Sequence, residues 1–177
     1  MTKKLFIIIA ALSLYSCNRE DIDDSIKINE EPLNGQVTKI DNEVLQIKTK
    51  AVDTLTIGSN SFVLSTYLNR DFMPFCSPNG KRMISINWLI STDSVKIPVN
   101  IKMIKQYVIH GDSIWISNYL GGEQSSWPEY YKMRGASFNG PKWGPNIYVE
   151  VISHIHDFNT NQDYFIKHKD AYIRKSV

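Results

Sequence analysis

Cysteine is nearly absent: the chain of 177 residues holds two, Cys17 and Cys76. A disulfide framework is thereby excluded, since such frameworks need several paired cysteines. Lysine and arginine never gather into a block, so the basic footprint that a phosphate backbone demands is missing and no nucleic-acid partner is expected. No apolar run reaches the roughly 20 residues needed to cross a bilayer; the run Leu5–Leu14 has ten. No window of about 11–18 residues keeps an i, i+3, i+4, i+7 apolar stripe between caps, so helix content should be low. Nothing resembles a serine nucleophile elbow, a phosphate-cradling glycine loop or an HExxH helix. The carboxylates are scattered, and paired glycosidase acids cannot be picked out. No cofactor is expected, and the reading leans away from an enzyme.

What is present begins at the N-terminus. Lys3 and Lys4 supply a short positive start, Leu5–Leu14 an apolar stretch, and Ser16 a small residue before a break. That is the three-part pattern of a secretory signal over residues 1–16. Leu14-Tyr15-Ser16-Cys17 resembles the lipobox of bacterial lipoproteins. The resemblance implies that Cys17 is acylated on sulfur and becomes the mature N-terminus, with the membrane as its partner through that lipid. Two or more acyl chains anchor far better than one, at about 0.8 kcal/mol per buried CH₂. The following Asn18-Arg19-Glu20-Asp21-Ile22-Asp23-Asp24 resembles the acidic surface-export signal of some Gram-negative lipoproteins. That implies an outer-membrane protein displayed on the cell surface, with the periplasmic face as the alternative. Loss of Lys3 and Lys4 with the signal lowers Lys plus Arg from 20 to 18, equal to the 18 Asp plus Glu.

Residues 17–36 are polar and aperiodic, with Pro32 and Gly35, and read as a flexible tether. The texture changes at Val37, and residues 37–177 read as one domain. Short runs of β-branched and aromatic residues recur between turn residues. Val44–Val52 alternates as a strand, and Met83–Thr92 alternates most cleanly: Ile84, Ile86, Trp88 and Ile90 should face a core, with Ser85, Asn87 and Ser91 outward. Ile104–Ile109 and Ser113–Tyr119 flank the turn His110-Gly111-Asp112. Ile147–Ile155 and Tyr164–Lys167 flank the polar turn Asp157–Asp163. The expectation is an all-β or mostly β chain, an antiparallel immunoglobulin-like β-sandwich. Leu120–Pro145, rich in Gly, Pro and aromatics, is expected to be one long loop.

Five features could carry chemistry. Trp127, Tyr130, Tyr131 and Trp143 in that loop could stack on a glycan or anchor an envelope protein partner, or fold back over the core. His154 and His156, two apart on a strand, should project together and, with Asp157, could begin a metal site. Arg70 and Asp71 read as an ion pair holding a loop, and Cys76 as a small buried hydrophobe. Asp24-Ser25-Ile26, Asp53-Thr54-Leu55, Asp93-Ser94-Val95 and Asp112-Ser113-Ile114 resemble an O-glycosylation sequon of exported bacterial proteins, and three of the four also suit turns that open strands. The overall expectation is a lipid-anchored, non-catalytic binding or structural module. A small envelope enzyme, an enzyme inhibitor and a toxin-neutralising lipoprotein are the alternatives.

Overall fold

The computed structural model describes residues 35–74, 76–125 and 128–177. The signal segment, Cys17, the tether up to residue 34 and Trp127 lie outside the described residues. In chain order the elements are β1 (Gln36–Lys39), α1 (Asn42–Lys50), β2 (Thr54–Ile57), β3 (Asn60–Asp71), β4 (Met83–Ser91), β5 (Ile101–His110), β6 (Ser113–Asn118), β7 (Leu120–Gln124), β8 (Lys132–Gly140), β9 (Tyr148–Asp157) and β10 (Gln162–Ser176). The chain is therefore mostly β, as expected. Strands pair in the order β1-β6-β5-β9-β10-β3-β4-β8-β7, with β2 beside β3, and form a curled, open sheet.

The immunoglobulin-like sandwich is not confirmed, because β10 belongs to both parts of one continuous path. From Gln162 to Tyr172 it pairs antiparallel with β9, with a register shift between His168 and Ala171. Ile173–Ser176 then run parallel to β3. A bulge bends a strand and lets it turn from one layer into another. At the opposite corner, β6 continues into β7 through Tyr119. Gly121 and Gly122 have φ of +84° and +85°, and a Cβ on Gly122 would collide with the Met103 carbonyl oxygen. Only glycine lets β7 approach β5 so closely.

Val44–Val52 is a correction: Asn42–Lys50 is helical. Asp41 caps it, its carboxylate accepting from the Val44 N–H at 2.9 Å. Glu43 lies in the first turn and Lys48 and Lys50 in the last, where they complement the helix dipole. Val44, Ile47 and Ala51 share the buried side, whereas Leu45, which strand alternation would pair with Ile47, is 51 % exposed. The helix has nine residues, too few to register as a long amphipathic stripe.

Leu120–Pro145 is a second correction. It contains β7 and β8, paired antiparallel from Leu120↔Ala136 to Gln124↔Met133. Its glycines serve strand corners and close packing: a Cβ on Gly140 would lie 2.7 Å from the Trp115 ring.

The third correction concerns β4. Met83, Ser85, Asn87, Leu89 and Ser91 are buried, while Ile84, Ile86, Trp88 and Ile90 are half-buried on the outer face. The polar face turned inward because it finds partners there. Asn87 Nδ2 donates to Gln106 Oε1 at 2.7 Å and to Tyr119 OH at 2.9 Å. Ser85 Oγ donates to the same Gln106 oxygen at 2.6 Å, and Gln106 Nε2 donates to Ser117 Oγ at 3.0 Å. Tyr119 OH meets Ser153 Oγ at 2.5 Å, and burial raises its pKa. These hydrogen bonds offset most of the penalty of burying the groups, although Asn87 Oδ1 has no partner among the described residues. Around them Phe62, Leu68, Met83, Leu89, Trp115, Val151, Ile166 and Ile173 form the main core.

Candidate functional site

On the outer side of the sheet, β9 carries Tyr148, Glu150, Ile152, His154 and His156 in alternation with the buried Val149, Val151, Ser153, Ile155 and Asp157. Helix α1 crosses near the middle of this row. Val44, Ile47 and Ala51 cover Tyr107, Ile109, Ile114 and Ile152 as a second apolar cluster, and Lys48 reaches Glu150 at 2.9 Å. Tyr107, at the margin of that cluster, is pushed up to about 12 by burial and then by the nearby charges of Glu43 and Asp163.

Beyond the helix on one side, His154 and His156 meet a carboxylate, but not the one expected. Asp157 is one residue on from His156 and so faces the interior. There it accepts from Asn100 Nδ2 at 2.5 Å, the Asn159 N–H at 2.9 Å and Thr160 Oγ1 at 2.8 Å, and closes the β9–β10 turn. Its carboxyl is held below the usual range, first by Asn100. The convergent group is Asp163, the register partner of His156 on β10. Asp163 Oδ1 accepts from His154 Nε2 and His156 Nδ1, each at 2.7 Å. These bonds, with that from His156 the larger, hold the Asp163 carboxyl below its ordinary value. The three potential ligand atoms lie within 4.8 Å of one another. Phe165 stacks on the His154 ring at 5.0 Å, and Phe158 meets the His156 ring edge-on at 4.5 Å.

On the other side of the helix the outer face is bare among the described residues. Tyr148 and Tyr172 are register partners with ring centroids 5.2 Å apart; they are 65 % and 40 % exposed. One strand further, the Arg174 guanidinium lies 5.5 Å over the Tyr67 ring. The row continues through Tyr67↔Ile86 and Ile86↔Ala136, and beside it runs Ser65↔Trp88 and Trp88↔Arg134. Arg134 and Arg174 are exposed and have no ion-pair partner among the described residues. At the margin, Lys132 is held by Glu129 and Glu123 by Lys102.

Of the aromatic residues singled out from sequence, the three that are described do not converge. Tyr130 and Tyr131 meet edge-to-face at 6.4 Å near the end of β4, where the Ser91 N–H donates to the Tyr131 carbonyl. Trp143 lies beyond Gly140, which pairs with Met83 at the start of β4, packs against the core and stands 5.5 Å from His110. A strand of nine residues separates the two places.

Arg70 and Asp71 also do other work. Arg70 is buried, and its guanidinium donates only to oxygens of the chain's turns: Lys81 O at 3.1 Å, Lys142 O at 2.9 Å, Gly144 O at 2.6 Å and Asn79 O. Burial lowers its pKa. Asp71 pairs instead with Lys81 at 3.2 Å. Cys76 is a free thiol, half-buried in a turn and not in the core.

Sequence reasoning missed Asp163, Tyr148 and Tyr172. The signal available for Asp163 was hairpin register, which sets it opposite His156 once the turn length is known. No helix among the described residues is long and apolar enough to cross a membrane. No family model, no curated protein and no solved structure matches the chain.

Proposed function

We propose that this chain is a lipid-anchored cell-envelope protein, held in the outer membrane through Cys17 and displayed on the surface. In this reading its β domain is a non-catalytic binding module whose bare outer face holds an acidic glycan. The observation that carries the binding reading is the row Tyr148–Tyr172–Tyr67, with Arg174 beside it. Strands lie about 4.8 Å apart, so a tyrosine on each of three adjacent strands presents rings at a spacing close to that of successive sugar units. Aromatic faces suit the apolar C–H faces of sugars. Exposed guanidinium groups without ion-pair partners suit carboxylate or sulfate substituents, which they can grip with two parallel hydrogen bonds. The same charges disfavour a second copy of this face, which would set arginine against arginine.

Affinity electrophoresis through gels containing polygalacturonate tests the binding. Retardation in that gel and not in neutral dextran is the expected result, and Tyr148→Ala with Tyr172→Ala should weaken it about tenfold or more. Equal mobility in both gels removes the glycan. The anchor is tested separately: Cys17→Ser should abolish labelling by a fatty-acid analogue. Neutral residues at Glu20, Asp21, Asp23 and Asp24 should reduce protease access on whole cells; unchanged access would place the protein by some other signal.

A further inference from the structure

We propose that His154, His156 and Asp163 form a binding site for a borderline divalent transition metal of the zinc, cobalt and copper class. The site stands apart from the tyrosine row and does not depend on it. His154 and His156 share one face of β9 at i and i+2, and the register of the β9–β10 hairpin delivers Asp163 to the same point. Two imidazole nitrogens already aim at one carboxylate oxygen, each 2.7 Å away. On the 2.0–2.1 Å radius of a tetrahedral zinc, neighbouring donors stand about 3.3 Å apart. The two histidine–carboxylate contacts need lengthen by only about half an ångström to reach that spacing. Asp163 can make that adjustment, since its side chain is 53 % exposed.

The imidazoles supply the rigidity. Their side chains are only 15 % and 19 % exposed, and Phe165 and Phe158 fix the ring planes. Ordering two ligands in advance removes much of the entropic cost of coordination. Two imidazoles and one carboxylate select zinc, cobalt, nickel or copper over calcium and magnesium, which prefer all-oxygen shells. Three protein ligands leave a coordination position for water or an exogenous donor.

The surroundings also set the strength. His154 Nδ1 is buried with no hydrogen-bond partner. A metal-bound histidine ordinarily donates its second N–H to an acceptor, and losing that partner costs about 10–100-fold in affinity. On β5, Lys102 and Lys105 stand opposite His156 and His154 in the register, with Glu123 compensating Lys102 at 2.9 Å. The site is thus built for an exchangeable ion and not for a permanent structural one.

Cobalt(II) titration of the full chain, followed by its visible ligand-field bands, is the test. Bands should grow to one equivalent, and zinc(II) should bleach them while calcium and magnesium leave them. Asp163→Asn and His156→Gln should each weaken binding about tenfold or more, with circular dichroism unchanged. His110→Gln, at the ring of Trp143, should leave binding as it was. Absence of bands with excess cobalt overturns the proposal, as does equal binding by His156→Gln or by Asp163→Asn. Loss of binding in His110→Gln would overturn it too, by locating the ion elsewhere.

Discussion

Both stretches of outer sheet surface carry apolar side chains, but their fates differ. Over β5, β6 and β9, Tyr107, Ile109, Ile114 and Ile152 are sealed by α1. Over β3 and β4, Val63, Tyr67, Ile84, Ile86, Trp88 and Ile90 stay half-buried with no described element across them. Apolar alternation on a strand therefore marks a face that packs against something, but not which side of the sheet is the inside. The inside of β4 is instead its polar face, because Gln106, Ser117, Tyr119 and Ser153 supply hydrogen-bond partners there. One surface has used its apolar area in folding, and the other leaves it uncovered among the described residues.

That contrast can be tested at several strengths. The bare half depends on an interior pin, and Arg70→Met should have the largest effect. It strands the carbonyls of Asn79, Lys81, Lys142 and Gly144, and should cost about 3–5 kcal/mol in denaturant unfolding. A loss below about 1 kcal/mol would mean that water satisfies those carbonyls.

Next, Ile152→Ala beneath α1 should cost about 2–4 kcal/mol, whereas Ile86→Ser on the bare face should cost less than about 1 kcal/mol. Equal losses would mean that both faces are covered in solution, and the comparison would fail. Removing the helix cap is smaller again. Asp41→Ala should lower stability by about 1 kcal/mol and loosen the cover over Tyr107 and Ile152, read as faster amide exchange in α1 and at those two residues. Tyr148 and Tyr172 amides should not respond.

The smallest effect is on pH. Asp163 and Asp157 both have depressed folded pKa values. Their contribution is complete above the unfolded value, about 3.9, and is lost as pH falls through the lower folded value. Tm should decline as pH falls below about 4, and Asp163→Asn should flatten part of that slope. An identical slope in the variant would show that the histidine bonds add nothing to stability.

Much of the strand inventory was legible from short-range pattern. The runs at β4 and β9, and the β5–β6 hairpin around His110-Gly111-Asp112, fall where alternation and turn residues place them. The pairing of His154 with His156 was legible for the same reason, since i and i+2 share a strand face. Asp163 was not, because its place depends on the turn after Asp157. Nor was α1, because Leu45, Ile47 and Thr49 alternate with Gln46, Lys48 and Lys50 as a strand would, over a stretch too short for a helical stripe to stand out.

By itself, then, the sequence determined a mostly β chain, the turn positions and the shared face of two histidines. Each of these follows from backbone periodicity and the conformational preferences of neighbouring residues. Only the tertiary structure decided which face of β4 is inside, which carboxylate joins the histidines, and which apolar surface is left open. Those outcomes depend on contacts between residues far apart in the chain, such as Asn87 with Tyr119 and Tyr148 with Tyr172. Their partners are chosen by register and by the bend in β10, which no local pattern encodes.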